Sequence, residues 1–290
     1  MASRTTCECR LTLSHGGLDH DVLVHVPPGD PAVLRPLVLL LHGSGGTGEW
    51  ALRETRWDEF ADREGVIVVA PTATRPDPKS PIRFYTNPPV WNDASARPPA
   101  DRVTTDDVGF IRALFDDLPS RVPIDANRIF VTGFSNGASM TFRVGAELSD
   151  RVSAIAPVAG HYWPTAATPA RPVPTLFLIG DLDPLVPLAG GRVDTPWGQG
   201  IEKPAVRETL RHWSERLGGP AEPAMVRDED GVRVERWGES LEAWTIAGLG
   251  HHWPGGRGEL NPRIAGPPSD RVSATEVIWR FFAAQSRKRL

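Results

Sequence analysis

The chain has 290 residues, of which 40% are hydrophobic and 23% charged, a composition typical of a globular protein with one large α/β domain or two smaller ones. Its 32 basic and 36 acidic residues give a formal net charge of -4, which argues against nucleic acid or an anionic membrane surface as a partner. No run of about 18 apolar residues is present, which excludes a membrane-spanning helix.

The N-terminal segment lacks the apolar stretch that a secretory signal needs. We therefore expect a cytoplasmic protein, although a secreted form trimmed of its signal would have the same sequence. The two cysteines, Cys7 and Cys9, are predicted to be reduced thiols, because in a strand they would share one face without the geometry of a disulfide.

Apolar residues follow a pattern of strands that alternate with helices. Alternating apolar and polar residues over 7–26 predict an antiparallel hairpin. Continuous apolar runs predict buried strands at residues 36–41, 65–70, 128–132, 152–158 and 174–179. The remaining predicted elements are helices at 49–64, 105–118, 135–148 and 205–217, a hairpin at 224–238, a strand at 241–247 and a closing helix at 271–284.

Strands separated by helices of this length form right-handed βαβ units around a parallel sheet. The predicted fold is α/β, a single domain over residues 1–290, with a mostly parallel central sheet opened by the antiparallel N-terminal hairpin and helices on both faces. The proline-rich segment 71–104 and the glycine-rich segment 180–203 are predicted to be irregular. Both follow strand C-termini, where open α/β sheets bind ligands, so we expect them to form pocket walls.

Residues 133–137, Gly-Phe-Ser-Asn-Gly, lie between a predicted strand and a predicted helix. In such an elbow, the flanking glycines let two backbones approach closely, and the serine is exposed at the sheet edge. Ser135 is therefore a candidate nucleophile. The alternative is a serine that only caps the following helix.

A serine nucleophile needs a histidine base and a carboxylate that orients the histidine. His251 lies in a glycine-rich loop after the 241–247 strand, and we prefer it to its neighbour His252. The acid is expected between nucleophile and base in the sequence, just after a strand, and Asp181 and Asp183 both satisfy this. We prefer Asp183, because the loop has more residues in which to turn toward the histidine.

Acyl transfer also requires N–H groups that bind the oxyanion. One would come from Asn136, which follows the nucleophile, and the other from the glycine-rich loop after the 36–41 strand, where we choose Ser44 with Gly45 as the alternative. His42 is predicted to hold this loop. A Gly-Lys-Ser/Thr phosphate loop, a His-x-x-x-His pair and a cysteine cluster are absent from the sequence, so no metal and no cofactor is expected.

Six landmarks occur in order along the chain: the segments 41–46, 91–92, 106–111, 133–140, 183–187 and 250–256. Through them the chain resembles the α/β-hydrolase superfamily, and within it the esterase group of polyhydroxybutyrate depolymerases and feruloyl or acetylxylan esterases. The resemblance implies a catalytic triad of Ser135, Asp183 and His251.

Aromatic residues are expected to line the substrate site. Trp91, His161, Trp163 and Trp253 are predicted to lie at the edge that carries Ser135, where rings suit an apolar or aromatic acyl group. For Trp91 and Trp253, the alternative is that they pack the loops themselves.

The sequence thus predicts a serine carboxylic-ester hydrolase that works through an acyl-enzyme, on hydroxyalkanoate oligomers or polyesters or on aromatic, feruloyl-type esters. The alternatives are a serine peptidase or amidase with the same residues, and an α/β-hydrolase scaffold that only binds. The expected partner is a small-molecule or oligomeric ester, with no nucleic acid and no membrane, and the oligomeric state stays open.

Overall fold

The structure, a computed structural model, describes residues 6–285 and has a ten-stranded sheet at its centre. In chain order the strands of these residues are β1 (Cys7–His15), β2 (Leu18–Val26), β3 (Arg35–Leu41), β4 (Ile67–Pro71), β5 (Ile124–Phe134), β6 (Ala154–Val158), β7 (Thr175–Gly180), β8 (Gly191–Thr195), β9 (Gly198–Lys203), β10 (Ala224–Glu229), β11 (Val232–Trp237) and β12 (Leu241–Ile246). The order across the central sheet is β1-β2-β4-β3-β5-β6-β7-β12-β11-β10, and β8 and β9 form a separate pair.

The middle of the sheet is parallel and its edges are antiparallel. Strands β4, β3, β5, β6, β7 and β12 pair in parallel. The β1–β2 hairpin joins β4 in antiparallel fashion at one edge, and the β10–β11 hairpin joins β12 in the same way at the other. The predicted α/β fold, mostly parallel and opened by an antiparallel N-terminal hairpin, is confirmed.

Helices cover both faces of this sheet. In chain order, the α-helices of residues 6–285 are α1 (Gly48–Glu54), α2 (Trp57–Glu64), α3 (Asp107–Asp117), α4 (Asn136–Glu147), α5 (Val206–Arg216), α6 (Pro262–Ala265) and α7 (Ala274–Ala283). Successive residues of β3 point to opposite faces: Leu37, Leu39 and Leu41 join the core under α3, α4 and α5, whereas Val38 and Leu40 join the core under α1, α2 and α7. All five are fully buried, as the continuous apolar run predicts.

One predicted helix is broken in two. The helix expected over residues 49–64 is α1 followed by α2, because Arg56 between them takes a left-handed φ of 60°. The break redirects the chain so that Trp57, the first residue of α2, is fully buried in the core.

The glycine-rich segment 180–203 is not irregular throughout, contrary to the prediction. It contains the antiparallel pair β8 and β9. Gly190 and Gly191 supply the positive φ angles at which the chain turns into this hairpin, and Gly200 supplies one inside β9, near the point where the pairing shifts register. The proline-rich segment 71–104 is a loop with one short 3₁₀ turn at Ala100–Arg102, as expected.

The N-terminal strand β1 carries both cysteines. Cys7 and Cys9 are free thiols. None of the helices in residues 6–285 combines the length and the apolar character needed to cross a bilayer.

Candidate active site

Ser135 stands on the tight turn between β5 and α4. Its φ of 58° and ψ of -118° are unusual for a residue with a side chain, and its N–H donates to the carbonyl oxygen of Val158 on β6 (2.9 Å). A Cβ on Gly133 would overlap the carbonyl of Gly137, and one on Gly137 would overlap the carbonyl oxygen of Leu41. Glycine is therefore required at both positions, and a backbone strained in this way is typical of a functional site.

The side chains of Ser135, His251 and Asp183 form one hydrogen-bonded chain. Oγ of Ser135 lies 2.9 Å from Nε2 of His251, and Nδ1 of His251 lies 2.7 Å from Oδ2 of Asp183. The histidine and the aspartate are only 3% and 4% exposed, so both are shielded from water. Within the described chain the Ser135 hydroxyl makes no capping hydrogen bond to α4, so the capping alternative does not describe this serine.

Backbone amides hold Asp183 in place. Its Oδ1 accepts hydrogen bonds from the N–H groups of Leu185 (2.8 Å) and Val186 (2.7 Å), which leaves Oδ2 for the histidine. The alternative acid, Asp181, is exposed and accepts instead from the N–H of Gly248 (2.7 Å). Asp181 thus joins two loops and does not orient His251.

The neighbouring His252 is bound elsewhere. Its Nε2 donates to the carbonyl oxygen of Gly266 (2.9 Å), and burial lowers its pKa. In the part of the chain that the structure describes, no three His, Cys, Asp or Glu side chains are grouped as metal ligands would be.

Two backbone amides beside Ser135 are available to bind an oxyanion. The N–H groups of Ser44 and Asn136 have no acceptor among residues 6–285, and both residues line a pocket that also contains Ser135. The N–H of Gly45, the alternative donor, is already used, because it donates to the carbonyl oxygen of Pro89 (2.8 Å). Unpaired N–H groups next to a nucleophile can stabilise negative charge on a substrate oxygen.

His42 fixes the loop that carries Ser44. Its Nδ1 donates to the carbonyl oxygen of Gly43 (2.7 Å), and its Nε2 accepts from the N–H of Ala73 (2.9 Å). Complete burial lowers the pKa of His42 to about 4, so the ring is neutral near pH 7. Each ring nitrogen has one partner in this tautomer, and the loop is tied to the chain that follows β4.

A buried network that the sequence reasoning missed holds Asn136. Its Oδ1 accepts from the N–H of Trp91 (2.8 Å), and its Nδ2 donates to the carbonyl oxygen of Trp91 (3.0 Å) and to Oδ2 of Asp93 (2.8 Å). Burial raises the pKa of Asp93. The position of Asp93 directly after the 91–92 landmark is the signal by which it could have been found.

Trp91 and Trp253 do not line the substrate cavities, contrary to the prediction. They are 0% and 2% exposed. The indole N–H of Trp91 donates to the carbonyl oxygen of His42 (3.0 Å), and that of Trp253 donates to the hydroxyl of Thr275 (3.0 Å). Both tryptophans pack the loops, because a buried indole N–H needs an acceptor and each finds one inside the protein.

Two cavities meet at Ser135. The larger has a volume of about 420 Å³ and a mostly apolar wall that includes Trp50, Phe84, Tyr85, Trp197, Leu260 and Ile264. The smaller has a volume of about 70 Å³, and its wall includes the predicted residues His161 and Trp163 together with Asp93, Arg97 and Lys203. We call them the apolar cleft and the small pocket.

The sequence of the chain is similar to those of a protein family and of several known proteins. Residues 26–196 match the model of a family described as phospholipase/carboxylesterase. The chain is 30% identical over 293 residues to NocK of Nocardia uniformis subsp. tsuyamanensis, which carries an esterase name, and the match spans 89% of this chain and 78% of NocK. It is also 30% identical over 154 residues to feruloyl esterase B of Piromyces equi, across 50% of this chain and 29% of that relative.

A solved structure shares the fold. The acetyl xylan esterase from Aspergillus awamori aligns with a TM-score of 0.60 over 85% of this chain and 94% of its own, at 17% sequence identity. This likeness confirms the predicted α/β-hydrolase fold, and the predicted class of enzyme, the carboxylic ester hydrolases, is that of the matching family. The chain belongs to the phospholipase/carboxylesterase family.

Proposed function

We propose that the chain is a serine carboxylic-ester hydrolase that works through an acyl-enzyme, with residues 1–290 as one catalytic domain. The observation that carries the proposal is the hydrogen-bonded chain from Ser135 through His251 to Asp183. Acyl transfer needs a nucleophile, a base, an acid that orients the base, and donors for the oxyanion, and this site has a candidate for each. Membership of the family supports an ester as the substrate.

In the proposed reaction, Oγ of Ser135 attacks the ester carbonyl carbon while Nε2 of His251 takes the hydroxyl proton. The Nδ1–H of His251 donates to Asp183, whose charge stabilises the imidazolium. The N–H groups of Ser44 and Asn136 bind the carbonyl oxygen as it becomes negatively charged. The imidazolium then protonates the departing alcohol, and water repeats the sequence to release the acid and restore the serine. No cofactor takes part.

The apolar cleft supports an ester with an apolar or aromatic group, either a hydroxyalkanoate oligomer or polyester or a feruloyl-type ester. Phe84 and Tyr85 are 42% and 63% exposed, and the ring centre of Phe84 lies 5.0 Å from those of both Tyr85 and Trp197. Exposed rings at a cleft favour flat or apolar groups. The relative named feruloyl esterase B supports the aromatic ester, and the resemblance to polyhydroxybutyrate depolymerases supports the hydroxyalkanoate.

Ser135→Ala tests the proposal. We expect kcat for p-nitrophenyl butyrate to fall by about 10⁴-fold or more, because a methyl group cannot attack the carbonyl carbon, while the circular dichroism spectrum stays unchanged. Ser120→Ala, at an exposed position in the turn after α3, is the matched control and should keep full activity. Retained turnover by the Ser135→Ala protein would overturn the proposal.

Two further measurements separate the alternatives. A fluorophosphonate reacts with an activated serine hydroxyl, so it should label Ser135 in the wild-type protein, and a protein that stays unlabelled would be a scaffold. Turnover of p-nitrophenyl butyrate compared with that of the matching anilide separates an esterase from an amidase, and we expect the ester to be the better substrate.

A further inference from the structure

The small pocket beside Ser135 holds cationic side chains that the proposed mechanism does not use. Lys203, at the end of β9, and Arg97, in the loop after β4, both line this pocket together with Ser135. Nε of Arg97 donates to the carbonyl oxygen of Glu202 (3.2 Å), and its guanidinium lies 4.1 Å from the centre of the Trp163 ring. The guanidinium is therefore fixed on the wall of the cavity that contains the serine hydroxyl.

Lys203 has no anion in contact with it. Within residues 6–285 its ammonium makes no hydrogen bond and no ion pair, and it lies 6.0 Å from the centre of the Trp163 ring. Burial lowers the pKa of Lys203, because the ammonium has lost water without a hydrogen-bonded counter-ion in exchange. An anion bound in the pocket would offset this cost.

Neither nearby carboxylate is a hydrogen-bonded counter-ion of Lys203 in the described chain, and Asp93 and Asp183 interact with it only through space. Oδ2 of Asp93 accepts from the side chain of Asn136 (2.8 Å) and its Oδ1 from the N–H of Ser95 (2.9 Å), and Asp183 is bound to His251. The wall of the small pocket thus carries two cations and one carboxylate whose oxygens already have other partners.

His161 adds a neutral hydrogen-bonding group to the same pocket. The ring is 1% exposed, its Nδ1 lies 2.9 Å from the hydroxyl of Thr209, and its Nε2 has no partner among the described residues. Burial and the nearby cations lower the pKa of His161 to about 3, so the ring is uncharged. Because the Thr209 hydroxyl can donate to Nδ1, Nε2 can carry the ring proton.

We infer that the small pocket binds a carboxylate that a short chain joins to the scissile ester, so that the substrate is a half-ester of a small dicarboxylic acid or an ester of a small hydroxy acid. The inference rests on the proposed ester hydrolysis. A substrate carboxylate can accept charge-assisted hydrogen bonds from Lys203 and Arg97, and it adds one negative charge beside Asp93 where a phosphate dianion would add two. A pocket of about 70 Å³ admits only a short chain and leaves the other half of the ester to the apolar cleft.

Two pairs of esters test for the carboxylate on either side of the ester bond. Monoethyl succinate carries it on the acyl side, and ethyl levulinate has a methyl ketone in its place. Acetoxyacetate and acetoxyacetone form the same pair on the alcohol side. We expect kcat/KM, measured from acid release in a pH-stat, to favour the carboxylate by about 10-fold or more in one pair. Equal or faster turnover of the ketone in both pairs would overturn the inference.

Lys203→Met tests whether Lys203 binds the carboxylate. It should lower the carboxylate-to-ketone ratio of kcat/KM by about 10- to 100-fold, because a charge-assisted hydrogen bond is lost. Lys79→Met, the same change on an exposed loop outside both cavities, should leave the ratio as in wild type. A ratio within about two-fold of wild type in the Lys203→Met protein would overturn the inference. Lys203→Gln serves the same test if the methionine variant does not fold.

Binding to the Ser135→Ala protein separates this inference from the proposed function. Calorimetric titration with the two ester pairs measures the pocket without turnover. One outcome is that the carboxylate member of a pair binds more tightly than the ketone member while the wild-type protein hydrolyses no ester. The inference about the small pocket would then be supported, and the proposed reaction would be wrong. If the wild-type protein hydrolyses both members of each pair without preference, the proposed reaction is supported and the inference that the small pocket binds a carboxylate is wrong.

Discussion

The elbow around Ser135 and the loops that wall its two cavities are held by different kinds of contact. The elbow is fixed by main chain, since Gly133 and Gly137 lie where any side chain would overlap a neighbouring backbone. The loops are joined mainly by contacts that involve side chains. The indole N–H of Trp197, for example, donates to the carbonyl oxygen of Phe84 (2.6 Å) on the other loop.

Because of this difference, we expect the residues that carry out the reaction to be distinct from those that select the substrate. A contact between two backbones cannot relax when a side chain changes size, whereas a side chain on a loop can be replaced without moving the strand and helix behind it. We therefore expect changes at the elbow and its hydrogen-bonded partners to affect every ester alike. Changes in the loops should affect some esters and not others.

After Ser135→Ala, Asp183→Asn should have the largest effect, a fall of about 10³- to 10⁴-fold in kcat for every ester. The amide oxygen can still accept from the N–H groups of Leu185 and Val186, so the amide NH₂ faces Nδ1 of His251. That nitrogen must then act as an acceptor, and the ring proton moves to Nε2, which can no longer take the proton of Ser135. Steady-state kinetics on short and long p-nitrophenyl esters measures the loss.

Asp181→Asn is the matched control for this change. Asp181 accepts from the N–H of Gly248 and lies outside the hydrogen-bonded chain of Ser135, so we expect kcat to stay within about three-fold of wild type. A larger loss for Asp181→Asn than for Asp183→Asn would mean that the acid is assigned to the wrong residue.

Gly137→Ala should have the next largest effect, a loss of about 3 kcal/mol or more in the free energy of unfolding. The added Cβ would overlap the carbonyl oxygens of Leu41 and His42, which are main-chain atoms and cannot rotate away. Urea unfolding followed by tryptophan fluorescence measures the loss. Gly16→Ala is the control, since nothing lies within 4 Å of its added Cβ; its φ of 59° is positive, unlike that of Gly137, and this backbone strain alone should cost about 1 kcal/mol. Equal losses would contradict the close approach at the elbow.

The sheet and the elbow could be predicted because their signals are local. A strand buried on both faces must be apolar throughout, as residues 36–41 are, and two backbones in contact demand glycine on either side of Ser135. Chain order then indicates His251 and one of Asp181 and Asp183. What separates the two aspartates in the structure is the distant group that each carboxylate meets, Nδ1 of His251 for Asp183 and the N–H of Gly248 for Asp181, and no local pattern encodes those contacts.

The sequence predicts His161 and Trp163 of the small pocket, but the charged part of its wall could not be predicted from local patterns. Asp93 and Arg97 lie on one loop, whereas Lys203 ends β9, a strand whose Gly-Gln-Gly-Ile-Glu-Lys sequence has no alternating apolar signal. Their meeting depends on how the β8–β9 hairpin folds back toward Ser135. The error at Trp91 has the same origin, because the indole is buried by its hydrogen bond to a distant loop and not by its neighbours in the sequence.

Trp197→Ala should have the smallest effect, and one that depends on the substrate. We expect kcat/KM for methyl ferulate and p-nitrophenyl octanoate to fall about 10-fold, because the apolar cleft loses a ring surface, while p-nitrophenyl acetate, whose acyl group has little apolar surface to lose, changes by less than about two-fold. Met225→Ala, at an exposed position on the far edge strand β10, should leave kcat/KM for all three esters unchanged. A uniform loss across the ester series would contradict the separation of the two regions, because it would mean that the Trp197 loop also positions the elbow.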